Sequence, residues 1–224
     1  MQICAPTKRM ERLALILDFG GVITKTLFEQ HRRTEQLLGL PVGCLTWLGP
    51  IDPDSDELWR CVQRGEMTEG DYWLARTHEV GLLAGEHWND VATFFHRAQG
   101  DDPNATVRSE AMAMIRSIKA AGIRLAVLSN ELERFYGPKF RSTIDVLSAF
   151  DVIIDGTHTK VLKPDRRAYE LCLQGLGVEA RQAVFVDDQL RNVDASYALG
   201  LEAKHFDIRD PAGSCAEIEA LFLG

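Results

Sequence analysis

Six positions in this sequence pair a chemically capable side chain with a place beside a short apolar run. Asp18 follows residues 13–17 (LALIL), and Ser129 and Asn130 follow residues 123–128 (IRLAVL). Lys163 stands directly before Pro164, and Asp187 and Asp188 follow residues 183–186 (AVFV). Carboxylates suit a hard cation such as Mg²⁺. A hydroxyl and backbone N–H groups at the start of a post-strand loop can cradle an anion. A lysine adds a compact positive charge. Metal, nucleophile, anion cradle and countercharge are the parts that phosphoryl transfer requires. Each residue also has a plainer reading: Asp18 as a turn residue, Asp187 as a helix N-cap, Ser129 as a cap, Lys163 as a surface lysine. Two adjacent carboxylates at a strand end argue for something positive between them, because they otherwise repel.

The elements that would hold these groups follow from the pattern. Residues 13–17, 123–128, 152–154 and 183–186 are short apolar runs ending in polar or Gly-rich turns, the signature of fully buried strands. Residues 105–121 carry a helical apolar period stopped by Gly122; 165–175, opened by Pro164, and 190–199, ended by Gly200, follow the same pattern. Strands alternating with helices predict an α/β fold, a mostly parallel sheet covered on both faces. In such a sheet ligands bind outside the carboxyl ends of the strands, where the six residues fall. Lys163 lies 34 residues after Ser129 and 24 before Asp187, one strand–helix unit each.

Residues 26–103 read differently. They show helical patterns at 26–38, 54–64, 68–80 and 86–99, and hold all four tryptophans (Trp47, Trp59, Trp73, Trp88). The stretch closes in a turn cluster at 100–104 (GDDPN). The expected organisation is a core of residues 1–25 and 104–224 with residues 26–103 inserted after the first strand. The tryptophans are expected mainly as core, with Trp47, in a Gly/Pro-rich loop, the exception to watch.

Composition limits the function. The chain has 224 residues, 46% apolar and 26% charged, with a net charge of −8. This is globular composition. The negative balance argues against general nucleic-acid binding, which needs clustered cations. No apolar run nears membrane-spanning length, so no membrane partner is expected. Residues 13–17 are too short for the core of a signal peptide. The five cysteines (Cys4, Cys44, Cys61, Cys172, Cys215) are odd in number and scattered. They read as free thiols of a cytoplasmic protein rather than a zinc site.

The segments LILDFGGVI (15–23), AVLSN (126–130), LKP (162–164) and VFVDDQLRNVDAS (184–196), in this order, resemble the haloacid dehalogenase superfamily of hydrolases. The resemblance extends to the subgroup with a helical cap after the first motif, which includes the amino-terminal phosphatase domain of soluble epoxide hydrolase and bacterial sugar-phosphate phosphatases. Residues 64–68 (RGEMT) and the DD-x-x-x-N form of the last motif carry that closer likeness. It implies a Rossmann-like core with 26–103 as the cap, and a Mg²⁺-dependent hydrolase of a small phosphorylated metabolite. It implies Asp18 as nucleophile, forming an aspartyl-phosphate, and Asp18, the Gly20 carbonyl and Asp188 as metal ligands with Asp187 beside them. Ser129 and Asn130 would bind the phosphoryl oxygens, Lys163 would offset the charge, and Asn192 would support the last loop.

Two positions depart from that pattern. Most phosphatases of this family carry a second Asp two residues after the nucleophile, as general acid and base; here the position is Gly20. General acid–base help is worth about 10²–10⁴-fold, so a slow phosphatase is expected, with His31, Glu66 or His78 as substitutes from the cap. Lys160 replaces a common Gly and reads first as a surface lysine. Arg32 and Arg33 read as a solvated helix face, and His205 as structural or exposed. Two rival functions stay open: a catalytically weak phospholigand-binding or interaction protein, which Gly20 favours, and a 2-haloacid dehalogenase, which needs no proton donor. The adjacent acids Asp187 and Asp188 disfavour the second, since they would repel a carboxylate substrate.

Overall fold

The computed structural model describes residues 12–100 and 102–224; Cys4 lies outside the described residues. In chain order the elements are β1 (Ala14–Leu17), α1 (His31–Leu38), α2 (Glu57–Gln63), α3 (Glu69–Leu83), α4 (Val91–Gln99), α5 (Ser109–Ala120) and β2 (Arg124–Ser129). They continue as α6 (Leu132–Tyr136), α7 (Phe140–Thr143), β3 (Val152–Asp155), α8 (Gly156–Thr159), α9 (Arg166–Leu176), β4 (Ala183–Asp187), α10 (Leu190–Ala198), β5 (Glu202–His205) and α11 (Pro211–Leu223). The strands form one parallel sheet in the order β3-β2-β1-β4-β5.

Alternation along the strands explains why their sequences are apolar throughout. Leu15 and Leu17, with Leu125, Val127, Val184 and Val186, pack against Ile115 and Ile118 of α5 and Ile218 of α11. Ala14 and Ile16, with Ala126, Leu128 and Phe185, pack against Ala168, Tyr169 and Cys172 of α9. A strand buried on both faces has no polar side to show. β5 (EAKH) escapes that reading because it is an edge strand with half-buried side chains, and edges tolerate charge. Pro164 precedes α9 rather than opening it; Asp165 is the N-cap and accepts from the Arg167 N–H at 2.9 Å.

Between β1 and β2 the chain builds a second core. All four tryptophans are buried in it. Phe28 stands at its centre, with ring centroids 5.7 Å from Trp47, 5.5 Å from Trp59 and 5.1 Å from Trp73. Edge-on and tilted aromatic packing of this kind adds to plain area burial. Two buried acids tie the loops to this core. Glu35 accepts from the backbone N–H groups of Gly43 and Leu45, and these bonds with Arg32 hold its carboxyl down to about 2. Asp56 caps α2 through the Trp59 N–H at 3.0 Å, and accepts from the Tyr72 hydroxyl at 2.7 Å and Arg76 Nη2 at 2.6 Å. Removing one partner of a buried, hydrogen-bonded ion pair strands the other. Asp56→Ala is therefore expected to lose roughly 3–5 kcal/mol of stability, read as a lower urea midpoint, with Asp56→Asn losing less. No helix of the described residues is long and apolar enough to cross a membrane.

Candidate active site

β1 sits at the centre of the sheet, paired with β2 on one side and β4 on the other. The chain therefore leaves β1 and β4 side by side, which brings Asp18 beside Asp187 and Asp188. Lys163 arrives from the loop before α9 and is 4% exposed. Its Nζ donates to Asp18 Oδ1 at 2.6 Å and to Asp187 Oδ2 at 2.6 Å. Asp187 is fully bonded: besides Lys163 it accepts from Asn192 Nδ2 and the Gln189 N–H. Asp188 is not, for its Oδ1 is buried without a partner.

Three carboxylates thus face one ammonium. Burial pushes the Asp18 carboxyl up, with Asp187 adding to the rise and Lys163 opposing it. Burial, Asp187, Asp18 and Glu69 push Asp188 well above the carboxylate range. Burial alone would lower the lysine, but Asp18 and Asp187 hold it above its ordinary value. Oxygens of Asp18, Asp187 and Asp188 lie within 4.8 Å of one another. A partnerless buried oxygen in an all-oxygen donor set with surplus negative charge fits a hard divalent cation. Asp188, rather than the saturated Asp187, is the carboxylate with an oxygen to offer, and Asp18 and Gly20 line the cavity beside it.

The loops around this floor are held largely by hydrogen bonds from side chains to backbone groups. Asp155, at the end of β3, accepts from the N–H groups of Leu132, Glu133 and Thr157, which fixes the loop after β2. The Asn130 side chain accepts from the Lys163 N–H at 2.7 Å and donates to the Lys163 carbonyl at 3.2 Å. The Asn130 side chain therefore positions Lys163, which leaves its backbone N–H as the group for the expected phosphoryl contact. Ser129 lines the cavity. Asn192, as the motif implied, steadies the β4 loop through Asp187. Gly21 has φ +84°, and a Cβ there would stand 2.6 Å from Asp188 Oδ2, so glycine is required on both counts. Arg108, 2% exposed, donates to the Gly21 carbonyl at 3.0 Å and to Glu29 at 2.7 Å, joining the loop after β1 to the first turn of the inserted segment.

Above the floor lies a cavity of about 550 Å³ between the sheet and the insert. Glu69, the first residue of α3, accepts from Gln189 Nε2 at 3.1 Å and Arg191 Nη2 at 3.2 Å. A Cβ at Gly70 would meet the end of the Arg134 side chain, with Nη1 at 2.5 Å. The anticipated substitute acids do not line this cavity. His31 packs on Trp47 and is pushed down to about 4 by burial, Glu66 pairs with Arg64 on the surface, and His78 is exposed. Above the floor, the acids that line it are Glu69 and Glu131, and burial pushes the Glu131 carboxyl up. Their only sequence signal is adjacency to the Thr68 cap and to Asn130. Trp59 and Trp73 line the cavity, whereas Trp47 is buried away from it. Lys160 is an exposed residue with φ 57° ending α8, as its surface reading implied. Arg32 pairs with Glu35, Arg33 with the Gln99 carbonyl, and the exposed His205 with the Asp188 carbonyl.

Two relatives align with nearly the whole chain. Sesquiterpene phosphatase astK of Aspergillus oryzae is 27% identical over 93% of this chain and 95% of its own length. Acyl-CoA dehydrogenase family member 10 of Mus musculus is 34% identical over 93% of this chain, which spans only 19% of that protein. The solved structure of an HAD-like family hydrolase from Porphyromonas gingivalis shares the fold, with a TM-score of 0.58 at 19% identity over 96% of this chain and 99% of that one. Residues 13–200 match the haloacid dehalogenase-like hydrolase family, and the chain belongs to it.

Proposed function

We infer that the protein is a Mg²⁺-dependent phosphomonoesterase working through a phosphorylated Asp18. The observation that carries this reading is the buried cluster in which Lys163 bridges Asp18 and Asp187 while Asp188 keeps a partnerless oxygen. Asp18 and Asp188, with the Gly20 carbonyl, would hold the cation, which supplies charge neutralisation for an incoming dianion. One Asp18 oxygen is held by Lys163 at 2.6 Å. The other attacks phosphorus as the bond to the ester oxygen breaks, and the alcohol leaves as its anion. Water then attacks the phosphorus of the aspartyl-phosphate, returning Asp18 and inorganic phosphate. Ser129 and Lys163 meet charge that grows on the phosphoryl oxygens, in a site largely shielded from water. The name of the Aspergillus relative supports cleavage of a phosphate ester as the reaction.

Dehalogenation is not supported. A 2-haloacid would bring its own carboxylate to three buried acids and one lysine. The test is phosphate release from acetyl phosphate and p-nitrophenyl phosphate. Release is expected with Mg²⁺, to fall to the blank in EDTA, and to return on adding Mg²⁺. Tight binding of Mg²⁺ and phosphate with no release from either compound would replace this reading with that of a phospholigand-binding protein.

A further inference from the structure

We propose that the organic part of the substrate is an apolar alcohol rather than a sugar. The proposal rests on the phosphomonoesterase reading for where the phosphate sits, and on the cavity for what lies beyond it. The insert contributes Phe28, Trp59, Val62, Met67, Trp73 and Phe95 to the wall. From the core side Leu132, Phe135 and Tyr136 complete it, and Phe95 stacks on Phe135 at 4.6 Å, so the apolar surface is continuous across the junction.

The polar groups along this wall are few, and the indole N–H of Trp59 is buried without a partner. The Tyr136 hydroxyl pairs with Thr24 Oγ1 at 3.3 Å. Arg76, the large cation of the insert's interior, is bound to Asp56 and Glu79 and is no part of the lining. The charged lining residues away from the Asp–Lys floor reach solvent and pair with one another: Glu69 with Arg191, and Glu131 with Arg134. Lys25 is exposed. A polyol carries more hydroxyls than these few groups could meet, and each one left unpaired costs roughly 1–3 kcal/mol. A hydrocarbon gains with every methylene it buries. The cavity volume of about 550 Å³ lies within the usual range for small-molecule sites.

The experiment uses n-alkyl phosphonates from propyl to decyl, which bind but cannot be hydrolysed, with Mg²⁺ present, and glucose 6-phosphate as the polar probe. Binding is read by calorimetry on the full chain, and acetyl phosphate hydrolysis is followed in parallel as a measure of the chemistry alone. Affinity is expected to rise roughly three- to fourfold per added methylene until the cavity is full, with glucose 6-phosphate weaker than hexyl phosphonate. Flat affinity along the series, or tighter binding of glucose 6-phosphate, overturns the proposal even if acetyl phosphate is hydrolysed. A rising series with no hydrolysis of acetyl phosphate upholds the apolar ligand and removes the catalytic reading.

Discussion

Gly20→Asp is expected to hydrolyse alkyl phosphates about 10²–10⁴-fold faster than the parent protein, the usual worth of a positioned general acid and base. The fold has room for the change. Gly20 lines the cavity beside Asp18, is not in the left-handed region, and a Cβ built on it meets nothing within 4 Å. Its neighbour Gly21 fails both conditions, so the effect belongs to one position. The gain should depend on the leaving group. An alkoxide is a poor leaving group and needs the proton, whereas p-nitrophenolate is stable as the anion. Rates measured across esters of graded leaving-group acidity should fall steeply in the parent and level out in Gly20→Asp. An already shallow dependence in the parent would mean that a lining acid such as Glu131 already supplies the proton.

Asp18→Asn should separate activity from stability. Loss of the attacking oxygen is expected to remove hydrolysis by on the order of 10⁴–10⁶-fold. The same substitution should raise the melting temperature in EDTA. Burial pushes Asp18 up from 3.8 to about 7 in the folded chain. The native state then binds its proton more tightly than the unfolded state does, so parent stability falls as pH rises between those values. Asparagine has no charge to desolvate. Its advantage should be absent well below pH 3.8, grow with pH, and be complete above about 7, at on the order of 1–4 kcal/mol. Melting curves of both proteins in EDTA at pH 5 and pH 8 test this; equal shifts at the two pH values would remove desolvation of Asp18 as the cause.

Much of this was readable from residue order. Apolar runs buried on both faces of a parallel sheet leave an unbroken signal, and polar residues at their carboxyl ends must gather where adjacent strands end. That logic reached Asp18, Ser129, Lys163, Asp187 and Asp188. It failed where a residue's partner lies far away in sequence. The partner of the Asn130 side chain is the Lys163 backbone, 33 positions on, which no local pattern gives. Asp56, Asp155 and Arg108 look like surface charges and are buried anchors. The short helices α6, α7 and α8 and the edge strand β5 have no period long enough to read. The acids lining the cavity were missed because helical spacing gives which residues share a face, not which face meets the core.

Arg108 gives the molecule a further property. One guanidinium holds both the Gly21 carbonyl, beside the carboxylates proposed to hold the cation, and Glu29, at the root of the insert. Occupancy of the floor and occupancy of the cavity therefore bear on the same bonded unit. Thermodynamic linkage makes such an influence reciprocal: the factor by which an apolar phosphonate alters Mg²⁺ affinity equals the factor by which Mg²⁺ alters phosphonate affinity. Arg108→Lys, which keeps the charge but loses the forked geometry, should reduce that common factor from either side.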